Sequence, residues 1–376
     1  MEITNFIKEN KINDFLNLKA ILESQQFGLK IKEDNELPNL FLIHTQDTSN
    51  FSLKFINECN GIIMDKNTFQ IVCYTFDKCA DKLLTSDLFD YDNLYYENAF
   101  EGTLIRLYYY NNKWNVSTKK CLNASKSKWI SNKNFAELFN ECIEQYNITN
   151  KLNTSYCYSF IITHPENKIV VPYTEPNLYH ISTRDMTTLQ EIEINIDVPK
   201  SERFILPKDN LNSLIDNINN SKLLLYEGCI LIDTKYNRIQ VKGDYFRMVR
   251  SLWGNTNNRF YRYIELRKNI NILQEYLTFF ENDKLEFIKF EEQICLLAKE
   301  ILKVYADKHI TKTNVKIPFY FAKIIYKLHG DFYKDKIKTN FDKVMMTLLE
   351  LDPKQVCFMY NNSLKEKEKE NVLMDI

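Results

Sequence analysis

Glycine and proline are scarce in this chain of 376 residues, 7 and 8 in all, and no G-x-x-x-x-G-K-[ST] or G-x-G-x-x-G run occurs. The glycine-rich loops that cradle phosphates in Walker-type and dinucleotide folds are therefore excluded. A nucleotide site in such a chain has to be built from side chains carried on strands. The 9 cysteines include no C-x-x-C pair, and His44, His164, His180, His309 and His329 stand isolated, so zinc is not expected. No stretch of about 18 uncharged apolar residues exists, which predicts no transmembrane helix and no membrane partner. The start, Met1-Glu2-Ile3-Thr4, has neither the basic nor the apolar region of a secretory leader. With an odd number of cysteines, it points to a reducing, cytoplasmic setting. A formal net charge of -1 excludes a globally basic coat for nucleic acid and leaves charge to be read by segment.

Hydrophobic residues make up 44% and aromatics 14%, ample for a core, and the length suits one large domain plus a smaller one. Broad apolar periodicity from Ile3 to Glu23 predicts one or two helices, and Leu40 to His44 a short strand after the turn at Pro38. Further strands are predicted at Gly61 to Met64, Phe69 to Thr75, Thr103 to Tyr110, Trp114 to Ser117, Tyr156 to Thr163, Lys168 to Val171, Leu178 to Ser182, Gly228 to Asp233 and Arg238 to Val241. Asn111-Asn112 between two of them suits a hairpin turn, because Asn tolerates positive φ. After about Ser251 only helical periodicity remains, over Phe260 to Phe280, Lys284 to Lys303, Pro318 to His329 and Phe332 to Leu351. The expected class is α+β, largely antiparallel sheet followed by an all-helical C-terminal domain. The polar break at Gly254 to Asn258 divides residues 1–252 from 253–376. The alternating charges of Lys365 to Glu370 read as a solvated tail.

Several short segments fall in a telling order. Glu58-Cys59-Asn60-Gly61 leads an apolar strand, and Phe76-Asp77-Lys78 follows. Ala99-Phe100-Glu101-Gly102-Thr103-Leu104-Ile105 comes next, then a strand with a basic exit at Lys119-Lys120. Phe160-Ile161-Ile162 precedes Pro165-Glu166-Asn167-Lys168-Ile169-Val170, and Leu178 to Asp185 ends in Arg184-Asp185. Last come Glu227-Gly228-Cys229-Ile230 and Gln240-Val241-Lys242. In this order the chain resembles the phage-type RNA ligase 1 family of covalent nucleotidyltransferases, over most of its length. In that family a lysine attacks the α-phosphate of ATP and holds the nucleotide as a phosphoramidate.

The resemblance implies the nucleotidyltransferase (adenylyltransferase) fold, but four positions depart from the family pattern. Ala99 stands at the nucleophile, Asn60 replaces an arginine, Ile161 a metal-binding and ribose-binding glutamate, and Gln240 a lysine. No catalytic residue is assigned. Glu101, Lys119, Glu227 and Lys242 remain as candidate nucleotide or phosphate contacts, Glu227 also as a candidate metal ligand, with ATP and Mg²⁺ as cofactors if any pocket function survives.

Between Lys303 and Lys327 six lysines, with Asp307 their sole acidic neighbour, alternate with aromatics. That pattern is by default a solvated helix face, but it coincides with the family's RNA-recognising helical region and nominates Lys308, Lys312 and Lys316 as RNA contacts. The expected function is a catalytically inactive ligase-like protein that binds RNA or nucleotide in RNA repair or processing, with room for a protein partner. Two alternatives stay open: an active ATP-dependent RNA ligase, or ligase of pre-adenylylated RNA, using a displaced lysine such as Lys119 or Lys120, and a structural subunit with no retained pocket.

Overall fold

The computed structural model describes residues 1–86, 88–223 and 227–374, the side chains of 369–374 excepted. The chain forms two compact units, Met1–Met248 and Val249–Ile376.

The first unit carries the strands β1 (Lys30–Glu33), β2 (Leu40–His44), β3 (Asn60–Asp65), β4 (Ile71–Cys73), β5 (Leu94–Asn98), β6 (Thr103–Tyr110), β7 (Lys113–Thr118), β8 (Tyr156–Thr163), β9 (Asn177–Asp185), β10 (Glu191–Ile192), β11 (Arg203–Leu206), β12 (Gly228–Ile232) and β13 (Arg238–Lys242). Among the described residues they make three sheets, ordered β1-β2-β3-β4, β10-β9-β8-β6-β7 and β11-β5-β12-β13, and every strand pair in them is antiparallel. The helices of this unit are α1 (Glu2–Glu9), α2 (Phe15–Leu22), α3 (Lys54–Glu58), α4 (Phe135–Glu144) and α5 (Leu211–Asn220), with α6 (Asp244–Trp253) at its end.

Each sheet keeps one apolar face. Alternation on β6 and β8 sends Ile105, Leu107, Tyr158, Phe160 and Ile162 to one side, where they pack on Leu138, Phe139 and Cys142 of α4. The side chains between them face the other way, toward the motif-bearing residues. In the third sheet the same alternation buries Leu94, Cys229, Leu231 and Ile239 against Leu211 and Ile218 of α5. Asn111 and Asn112 adopt φ of 52° and 57°, the left-handed turn that joins β6 to β7.

One predicted strand is absent. Residues 168–171 form no ladder, because the amides of Val170 and Val171 donate instead to the Glu101 carboxylate at 2.8 and 2.7 Å.

His180, on β9, donates its backbone N–H to Pro199 and places Nε2 2.9 Å from Thr183 Oγ1. Burial, reinforced by Lys200, holds its imidazole neutral down to a pKa of about 4. The unfolded chain takes up this proton near 6.5, so the native state loses stability as pH falls from there toward about 4. The loss amounts to roughly 3 kcal/mol. Urea midpoints compared at pH 7 and pH 4 should show it, and a His180→Asn variant should flatten the dependence.

The second unit is helical among the described residues: α7 (Arg259–Leu266), α8 (Ile270–Phe279), α9 (Lys284–Tyr305), α10 (Ala322–Asp335), α11 (Phe341–Glu350) and α12 (Pro353–Met374), with a π-helical turn at Ala306–Ile310. The run expected over Phe260 to Phe280 is split, because Asn269 accepts from the amides of Asn271 and Ile272 and starts a new helix. The expected tail at Lys365 to Glu370 instead lies within α12, where Lys367 pairs with Glu300 and Ser363 donates to the same carboxylate at 2.6 Å. No helix of the described residues is long and apolar enough to cross a membrane.

Candidate functional site

The third sheet lines up the motif residues by register. Glu97 on β5 lies opposite Ile230 on β12, which lies opposite Gln240 on β13. One step further, the Ala99 amide donates to Gly228 O at 2.9 Å, and Gly228 pairs with Lys242. Strand alternation puts Ala99, Gly228 and Lys242 on the same face as Glu97 and Gln240, opposite the α5 core.

Two glycines make this possible. Gly228 has φ of 137°, and a Cβ there would stand 2.0 Å from Val241 O. At Gly102 a Cβ would meet Ile162 O at 2.3 Å and Ile161 Cγ2 at 2.6 Å, so only glycine lets the start of β6 lie against β8.

Glu227 is buried, and its Oε1 is held by Lys242 Nζ at 2.9 Å and Gln240 Nε2 at 3.0 Å. Lys242 is left 37% exposed at its side chain, beside the Phe246 ring at 5.7 Å. Gln240 thus stands where a cation is expected and binds the carboxylate as a neutral amide. Glu97, also buried, takes the Arg203 guanidinium at 2.8 Å.

Through Tyr173, which neighbours Glu101, Glu227 and Tyr179, this region meets the side of the second sheet that faces away from α4. There Ile161 is half-buried and pairs with Leu104 and Tyr179. The Tyr179 ring stacks on Phe100 at 3.8 Å and 12°. Burial, with Glu101, Glu227 and Tyr179 around it, raises the Tyr173 phenol pKa, which places that hydroxyl among these residues. Tyr173, Phe100 and Tyr179 were not singled out in the sequence. Aromatics in a chain so rich in them carry no signal until a sheet gathers them. The donors assembled here do not suit a divalent metal: Glu227 already has a cation and an amide, Ile161 offers methyl groups, and no three His, Cys, Asp or Glu among the described residues converge.

Lys119 is held by different elements. Just past the end of β7, it is surrounded by Cys79, Lys78, Lys120 and Arg106. Burial pulls its pKa down, and the cations Lys78, Lys120 and Arg106 add to the effect against Cys79. Its ammonium makes no ion pair among the described residues. Arg106 is buried and donates to the carbonyls of Gly61 and Thr118, tying β3 to the end of β7. Asn60, also buried, keeps its Oδ1 without a partner. A further buried group was missed in the sequence. Arg238 and Glu191 form a two-pronged pair with side chains 4% and 3% exposed, Arg184 approaches the same carboxylate at 3.4 Å, and Arg238 lies over the Phe76 ring. Lys308, Lys312 and Lys316 are exposed on the second unit, Lys308 on the π-helical turn and Lys312 at φ of 53°.

With this geometry in view, comparison with known proteins shows what the chain resembles. No family model matches the chain. It is 30% identical over 178 residues to an immediate-early protein ICP-46 homolog of Invertebrate iridescent virus 3, a match covering 45% of this chain and 39% of that one. It is 28% identical over 211 residues to an RNA ligase of a Rhodothermus phage, covering 46% and 47%. The chain spans less than half the length of these relatives. Among solved structures, an archaeal ATP-dependent RNA ligase aligns over 93% of this chain and 78% of its own, at 10% identity and a TM-score of 0.43, too loose to add weight to the residues. The chain is similar to RNA ligases of the covalent nucleotidyltransferase superfamily, and its antiparallel sheets and C-terminal helices are the architecture that this resemblance implies.

Proposed function

We propose that the chain is a degenerate RNA ligase that binds RNA without forming a lysyl-adenylate, as a binding or regulatory subunit in RNA repair or processing. One observation supports the reading: the row Ala99, Gly228, Lys242 presents a methyl group where the resemblance expects the nucleophile, and the neighbouring Glu227 is paired within the protein by Lys242 and Gln240. Phe100 stacks on Tyr179, the strand partner of Ile161, so aromatic and aliphatic groups line the same region.

RNA is favoured by the second unit. From Lys303 to Lys338 the chain has nine lysines against three aspartates, in a protein of net charge -1. On α10 the exposed Tyr326 and Tyr333, 62% and 66% accessible, stand two turns apart, and nothing lies within 4 Å of a Cβ at Gly330 between them. Lysines take phosphates and exposed rings take unstacked bases.

Binding of a labelled single-stranded RNA, measured between 50 and 200 mM salt, tests this directly. Affinity should fall steeply with salt, and Lys312→Glu with Lys316→Glu should weaken it roughly tenfold or more and flatten the salt slope. An affinity indifferent to salt and to both reversals would leave the scaffold reading in its place. A second reading, catalysis through Lys119, draws on that residue's lowered pKa and lack of an ion-pair partner.

A further inference from the structure

Cys73 on β4 and Cys157 on β8 are fully buried, and their sulfurs lie 3.0 Å apart. Each of the nine cysteines is described and reduced, and no other two are in sulfur contact. The gap is about 1 Å longer than the ~2.05 Å bond of a disulfide. The two strands belong to different sheets: β4 is an edge of the first, β8 the middle strand of the second.

We propose that Cys73 and Cys157 are a redox pair, joined as a disulfide by exchange with a small-molecule disulfide such as oxidised glutathione. The Cys73 thiolate attacks one glutathione sulfur, forming a mixed disulfide and expelling a glutathione thiolate. Cys157 then gives up its proton and attacks the Cys73 sulfur, and the second glutathione leaves. Two protein thiols lose two electrons in all, the glutathione disulfide is reduced to two thiols, and the two protons end on those sulfurs.

The surroundings suit this sequence. Burial opposes ionisation of Cys73, but the S–H of Cys157 and the guanidinium of Arg106 outweigh it and draw that thiol below its ordinary range. Burial keeps Cys157 protonated, as the donor of the pair. Entry for the oxidant is supplied by β4 itself. It is three residues long, lies at a sheet edge, and is held to β3 through the pairs Ile63 with Cys73 and Met64 with Ile71, with a register shift between them. Such a strand opens locally at far lower cost than the whole unit unfolds. Once closed, the bond would staple the strand behind Arg106, whose guanidinium fixes the carbonyls of Gly61 and Thr118. Oxidation would thereby stiffen the wall that carries Lys119.

The full chain, incubated with reduced or oxidised glutathione, acid-quenched, denatured and alkylated with N-ethylmaleimide, decides the matter by intact mass and peptide mapping. Reduced protein should take nine labels. Oxidised protein should take two fewer, yield a peptide pair linked through Cys73 and Cys157, and return to nine after dithiothreitol. Cys157→Ala should abolish the linked pair and Cys79→Ser should retain it, although the wild-type map suffices if either variant misfolds. Nine labels after oxidation, an unresolved glutathione adduct, or a link between other cysteines would overturn the proposal.

Discussion

After incubation with α-labelled ATP and Mg²⁺, the denatured protein should carry no label above background. Covalent nucleotidyl transfer needs a neutral amine in line with the α-phosphorus and cations to draw off the charge of the departing pyrophosphate. At position 99 there is only a methyl group. Losing a covalent nucleophile typically costs on the order of 10⁴- to 10⁶-fold in rate, which puts any residual adduct below detection. Restoring the amine alone should not rescue the reaction, because Ala99→Lys would face Ile161 instead of a carboxylate and Gln240 instead of a second lysine. The sharper comparison is with Lys119. Burial, with Lys78, Lys120 and Arg106 nearby, lowers the Lys119 pKa, the direction that favours the free amine a nucleophile needs. If label appears in the wild type and disappears in Lys119→Ala, the chain is an active nucleotidyltransferase with a relocated amine. If none appears in either, the methyl at position 99 decides the matter.

The largest stability effect is expected at Glu191. Its carboxylate receives both prongs of Arg238 and an approach from Arg184, all but sealed from solvent. Glu191→Ala would leave the Arg238 guanidinium buried beside Phe76 with no carboxylate in contact among the described residues, Glu97 acting only from a distance. Breaking one side of a buried pair costs about 3–5 kcal/mol, whereas replacing both partners by apolar groups of similar volume is far milder. Urea unfolding of the first unit should therefore shift strongly to lower denaturant in Glu191→Ala and partly recover in Glu191→Met with Arg238→Met. Equal midpoints for wild type and the single variant would mean that water reaches this pair.

The fold was readable where alternation was strong. Thr103 to Tyr110 and Tyr156 to Thr163 are strands at those very residues because each buries every second side chain on α4. The edges β4, β7 and β13 were anticipated, but β1 and β11 were not, nor was β5 inside the third sheet; β1 and β11 are four residues long, and Ile205 on β11 is 76% exposed, so their pattern holds no contrast to read. Lys168 to Val171 looked like a strand from β-branched residues alone, and a carboxylate distant in sequence took the amides a ladder would have used.

The candidate site divides the same way. The resemblance to the ligase motifs singled out Ala99, Glu227, Gln240 and Lys242; the third sheet sets Ala99, Gln240 and Lys242 on one face, where Gln240 and Lys242 hold Glu227, and Lys119 stands beside Cys79. What spacing could not convey is pairing: that Glu227 is satisfied by Gln240 and Lys242, that Glu101 serves two backbone amides, and that Phe100 stacks on Tyr179.

Gly102 and Gly228 carry one more consequence, for how genomes are searched. Each is demanded by the close approach of neighbouring strands, so a chain that has given up catalysis must still keep both or lose its sheets. Their presence is a signature of architecture, independent of the chemistry beside it. A survey that counts ligases by those two residues would gather chains with and without the family's lysine, and the residue three places before the first glycine, with positions 60, 161 and 240, would tell them apart.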